Sequence, residues 1–168
     1  MSNSTKIPSG GIATFAIKIN GTAIPDLFSV LSIYVEKKVN RIALAKIVIL
    51  DGEANTGKFD ASSSAIFVPG AAISIEAGYD SQNKTIFKGL ITAQSIRIDS
   101  LVGSALEVEC RDESVKMIAG RKSHTFSNKK DSEIISSIIA SYSGLVSEVI
   151  PTDKVSQEQV QYLSLIHI

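Results

Sequence analysis

The chain has 168 residues, 44% of them hydrophobic and 20% charged, which suffices for one domain with a sizeable core and the start of another. Lys+Arg and Asp+Glu both number 17, so no global field draws nucleic acid or an anionic membrane surface. The N-terminal MSNSTKIPSGG lacks the apolar run of a secretory signal, the apolar stretch Ile42–Leu50 is too short to span a bilayer and carries Lys46, and the single Cys110 has no partner for an internal disulfide. Synthesis in a reducing cytoplasm fits these features.

Residues 1–11 are polar and rich in Gly, Pro and Ser, and are expected to form a flexible arm. In ATFAIKINGTAIP, Asn20-Gly21 lies between β-forming residues and predicts a two-residue hairpin. Leu31, Ile33 and Val35 then alternate with Ser32, Tyr34 and Glu36, the period of a half-buried strand. In RIALAKIVIL, Ala43, Ala45, Ile47 and Ile49 fall on one face and Ile42, Leu44, Val48 and Leu50 on the other. A strand apolar on both faces calls for cover on both, from a second layer or another subunit.

Residues 51–70 read as a long connection closed by Pro69-Gly70. Ile73, Ile75 and Ala77 alternate again, up to a break at GYDSQNK. From Thr85 to Asp99 the apolar phase slips near Ala93–Ile96, which predicts a bulge or bend. In SALEVECRD, Leu106, Val108 and Cys110 face inward and Glu107, Glu109 and Arg111 outward. After Asp112 the period changes. Asp131 is placed to cap a helix over about 131–143, with Ile134, Ile135, Ile138, Ile139 and Tyr142 at helical spacing and Gly144 as its stop. The expected fold class is mainly β, α+β overall: six or seven antiparallel strands in one barrel or sandwich, then a helix opening a second, incomplete domain.

Few residues offer chemistry. GEANTGKF (Gly52–Phe59) matches the spacing of a phosphate loop, but Phe59 stands where a Ser or Thr would hold magnesium, and DASSSAIFVPG behind it has no helical period. Cys110 sits on the apolar face of its strand, where cysteine acts as a small hydrophobe. His124 has no second ligand at metal spacing. Asp99, Asp112 and Glu113 are scattered acids without visible pairing, and no G-x-S-x-G elbow occurs. Asn3-Ser4-Thr5 and Asn83-Lys84-Thr85 fit the glycosylation sequon, a match best explained by chance. The basic residues from Arg121-Lys122 to Lys129-Lys130 read as a solvated loop. No catalytic, cofactor-binding or metal-binding residue is expected, and the chain is not expected to be an enzyme.

The order of motifs is itself informative. LFSVLSIYVEKKVNRIALAKIVILDG, PGAAISIEAGYDSQNKTIFKGLITAQSI, LEVECRDESVKM and HTFSNKKDSEIISSIIASYSGL, followed by EQVQY, resemble the N-terminal hub region of VgrG spike proteins. These are the tip proteins of type VI secretion systems, akin to the late control D and hub proteins of contractile phage tails. The resemblance runs from about residue 12 to Tyr162 and is most specific at Gly78-Tyr79-Asp80 and Ile86-Phe87-Lys88-Gly89.

The resemblance implies a structural hub of a contractile injection machine, with a first β-barrel over 12–118 and the start of a second domain over 119–162. Three chains, each supplying two barrels, would adapt a hexameric tube to a threefold spike. The implied partners are further copies of the chain in a homotrimer, the tube protein, spike and baseplate proteins and secreted effectors. Nucleic acid and membrane insertion are not among them. Assembly in the bacterial cytoplasm and export with the tube tip are implied too. Where the family continues in an acidic-aromatic segment, this chain reads Leu163–Ile168 (LSLIHI), the translation in one frame of a transposase adapter used in sequencing libraries. Those six residues are therefore expected to be adapter-derived rather than evolved protein. Two rivals remain: a free-standing barrel binding a ligand or carbohydrate, for which the chain offers no Trp and only four Tyr, and a nucleotide-dependent enzyme resting on Gly52–Lys58 alone.

Overall fold

The structure, a computed structural model, describes residues 11–52, 57–99, 103–120 and 122–163. The expected arm over 1–11, apart from Gly11, and the tail after Leu163 lie outside these residues, as do Asn3 and the centre of the Gly52–Phe59 loop. Ten elements follow in order: β1 (Ala13–Ile19), β2 (Thr22–Ala23), β3 (Val30–Glu36), β4 (Leu44–Leu50), β5 (Ala72–Tyr79), β6 (Gln82–Asp99), β7 (Gly103–Arg111), β8 (Lys122–Lys130), α1 (Asp131–Ala140) and β9 (Val155–Leu163). A 3-10 turn at Glu113–Ile118 precedes β8. The mainly β architecture with a helix after the sheet is as expected.

The chain folds as two compact units. Of the described residues, the first takes in those up to Glu36 together with Leu44–Cys110, and the second Lys37–Ala43 with those from Arg111 onward. The expected boundary at 118 thus moves forward to Cys110. The cause is local: Met117 of the 3-10 turn is buried with Ile134 and Ile138 of α1, and the Asp112 N–H donates to the Ala43 carbonyl.

Seven strands of the first unit form one sheet in the order β2-β1-β5-β6-β7-β4-β3. The Asn20-Gly21 hairpin is present, both residues having positive φ (50° and 84°), with Ile19 opposite Thr22. β5 and β6 are joined by a second tight turn, in which Asp80 and Ser81 have positive φ. Gly78 is obligatory beside it, because a Cβ there would collide with the Gln82 carbonyl oxygen.

The 18-residue β6 serves two partners. Its first half, Gln82–Leu90, pairs with β5. In its second half the Thr92 hydroxyl donates to the Glu109 carbonyl and Arg97 reaches Glu107, which sets it against β7. One register shift lies between Ile75 and Glu76, leaving Ile86 as the extra residue on β6. Further along β6, Ile91 is buried and Ile96 is 49% exposed.

One face of this sheet holds the core. Ile17 and Ile19 of β1, Ala45, Ile47 and Ile49 of β4, Ile73 and Ile75 of β5, Phe87 and Ile91 of β6, and Leu106, Val108 and Cys110 of β7 are all buried. Ala61 and Phe67 of the β4–β5 connection complete it, the Phe67 ring meeting Phe28 edge-on at 5.5 Å. A sheet of this width buries so much of one face under a single loop only by curling around it. Burying a side chain of this kind contributes about 1.5–3 kcal/mol, so this face is the main source of stability.

In the second unit β8 and β9 pair antiparallel from Lys122↔Leu163 to Lys130↔Val155. The helix differs from expectation at both ends. Lys130, not Asp131, is the N-cap residue, and Asp131 occupies the first helical position, where its charge still favours the positive helix end. Glu133 accepts from the Lys130 N–H, and the Ser132 N–H donates to the Thr152 hydroxyl while the Thr152 N–H donates to Ser132 Oγ. The helix stops at Ala140, short of 143, because the Ser141 N–H turns back to Ile138 and Gly144 takes a positive φ of 88°.

Candidate interaction surface

The outer side of β3, β4 and β7 is the strongest candidate surface of the first unit. The register sets Ser32 beside Val48, Tyr34 beside Lys46 and Glu36 beside Leu44. Period-2 alternation turns these outward once Ile33, Ile47, Ala45 and Ile49 turn inward. Lys46 Nζ donates to Glu107 Oε2 at 2.9 Å and lies 3.9 Å from Glu109, and Arg97 lies 3.5 Å from the other Glu107 oxygen. The hydrogen bond to Glu107 raises the Lys46 pKa, and the bond from Lys46 holds the Glu107 carboxyl below its usual value. Arg97, Glu107 and Lys46 thus form a cross-strand row of paired charges.

Around that row the second apolar face of β4 is only partly covered. Leu44 and Val48 are half-buried and Leu50 is 44% exposed. Leu31, the extra residue at the Val30/Ser32 irregularity of β3, is 46% exposed rather than turned inward with Ile33 and Val35 as the alternation predicts, because the bulge takes it out of phase.

Asp51, at the end of β4, is the feature that the sequence pattern did not disclose. It is 4% exposed, and its carboxylate accepts from the Ala61 N–H at 2.9 Å and the Ser62 N–H at 2.8 Å. Burial alone pushes this carboxyl up, but hydrogen bonds from the Ser62 side chain and from the Ala61, Ser62 and Gly52 backbone outweigh it and hold the pKa below 3.8. The effect is to clamp the β4–β5 connection onto the sheet, seating Ala61 and Phe67 in the core. The only available signal was an acid between an apolar strand and a glycine.

The same clamp bears on the ends of the Gly52–Lys58 loop, whose residues 53–56 lie outside the described residues. Between residues 57 and 71 there is no helix to aim at a phosphate. The Ala61 and Ser62 N–H groups are already taken by Asp51. Gly52 has a φ of 90°, and the Phe59 ring occupies the space that a Cβ would need, so the glycine serves close packing.

The remaining candidates are dispersed. Cys110 is buried in the first unit, and burial pushes its thiol up to about 12, which keeps it protonated at neutral pH. His124 belongs to the second unit and lies 6.1 Å from the Phe126 ring, over which Lys129 Nζ sits at 5.7 Å. The basic stretch is therefore a β-strand with an aromatic residue in it, not a loop. Asp112 accepts from the Ser114 N–H and starts the 3-10 turn, and Glu113 pairs with Lys116 at 3.2 Å. Asn83 accepts from the Thr14 hydroxyl at 2.6 Å. The side chain of Asp99 and residue Arg121 lie outside the described residues. Among the described residues no group of three metal-binding side chains gathers, and no helix is long and apolar enough to cross a membrane.

Comparison with known proteins gives two findings. The model of the Alg8 N-terminal domain family matches residues 9–165, nearly the whole chain, and the chain belongs to that family. Among solved structures, the E. coli c3393 protein superposes with a TM-score of 0.58 at 14% identity, over 87% of this chain and 38% of that one. It is a component of the type VI secretion system with structural similarity to the T4 bacteriophage tail proteins gp27 and gp5. Likeness at that identity establishes a shared fold, and this chain spans well under half of that protein's length. No curated protein matches in sequence.

Proposed function

We propose that this member of the Alg8 N-terminal domain family is a structural hub segment of a contractile tail or type VI secretion machine and not an enzyme. The fold it shares with the c3393 protein is the observation that supports this most directly. The surface of β4 is consistent with it. Leu44, Val48 and Leu50 form an apolar line beside charges already paired within the sheet, so a neighbouring subunit can dock there without meeting an unpaired ion. In such a machine the curled sheet is a stiff block that transmits the force of contraction, and its chemistry is packing.

The partners in this reading are two further copies of the chain, the tube protein, spike and baseplate proteins and delivered effectors. The protein would be made and assembled in the bacterial cytoplasm and exported with the tube tip. The test is the mass in solution of the full-length protein encoded at the locus, alone and with the tube protein from neighbouring genes. A trimer that captures the tube protein is expected. A strictly monomeric full-length protein that ignores it would overturn the proposal.

A further inference from the structure

We draw no further inference here: the strongest candidate, the exposed end of the β1–β5 pair where Phe15 and Tyr79 share one sheet face with Ala13 and Ala77, is an unpartnered apolar face, and nothing in the structure shows what covers it.

Discussion

Replacing Asp51 by alanine should unseat the β4–β5 connection. The carboxylate accepts from two backbone N–H groups, the Ala61 one buried and the Ser62 one partly so. Without it both donors lose their partner, the Ala61 one in a buried position. Leaving a buried donor unsatisfied costs about 1–3 kcal/mol, so the pair together predicts a loss of about 3 kcal/mol. Asp51→Asn keeps the volume and one acceptor oxygen, and should lose about half as much.

A pH arm isolates the charge. The Asp51 pKa in the folded protein lies below 3.8, so its contribution is complete above that value and is lost as pH falls through the lower, folded value. The wild type should therefore lose stability more steeply than Asp51→Asn as the buffer is taken from neutral to below 3.8. Urea unfolding followed by circular dichroism at several pH values measures both effects, the chain having no Trp to serve as a fluorophore. An Asp51→Ala protein within about 0.5 kcal/mol of wild type would refute the clamp.

Three further substitutions or probes test other parts of the structure. Gly78→Ala should cost about 1–3 kcal/mol, since its Cβ meets the backbone of Gln82 and the hairpin must shift. Gly120→Ala, with open space around it, serves as the near-neutral control in the same thermal melts, and equal melting temperatures would contradict the close approach. The Cys110 thiol, buried and raised to about 12, should resist an aromatic disulfide reagent at mildly alkaline pH and react fully only in denaturant. Rapid stoichiometric labelling of the native protein would show the site to be open. Ser132→Ala removes the hydroxyl that accepts from the Thr152 N–H and should cost about 1 kcal/mol, read as faster amide exchange in the first turn of α1. Unchanged exchange there would mean that the Ser132–Thr152 pair does not hold the helix start.

Local features were legible because their causes are local. Asn20-Gly21 announces its hairpin, since only residues tolerant of positive φ fit a two-residue turn. The alternation in β7 announces which side chains enter the core, and Ile134 and Ile138 announce the helix by their spacing, whereas β4, apolar on both faces, left open which face would be buried. Boundaries were less legible. Asp131 looked like a cap, but the cap position fell to Lys130, whose N–H donates to Glu133, while the distant Thr152 accepts from the Ser132 N–H of the first turn. The role of Gly52 was also hidden, because the ring that fills its missing Cβ comes from a loop residue which the pattern could not aim.

By itself, then, the sequence determined most strand periods, the Asn20-Gly21 turn and the helix, and through its order of motifs it pointed to a tail-hub fold. Each of these depends on neighbours a few residues apart or on the order of such local motifs along the chain. Only the tertiary structure decided the strand order β2-β1-β5-β6-β7-β4-β3, the sharing of β6 between two partners, the move of the unit boundary to Cys110 and the burial of Asp51. These depend on which distant segments meet. A carboxylate at the end of an apolar strand looks solvated until a loop ten residues on brings two amide donors to it.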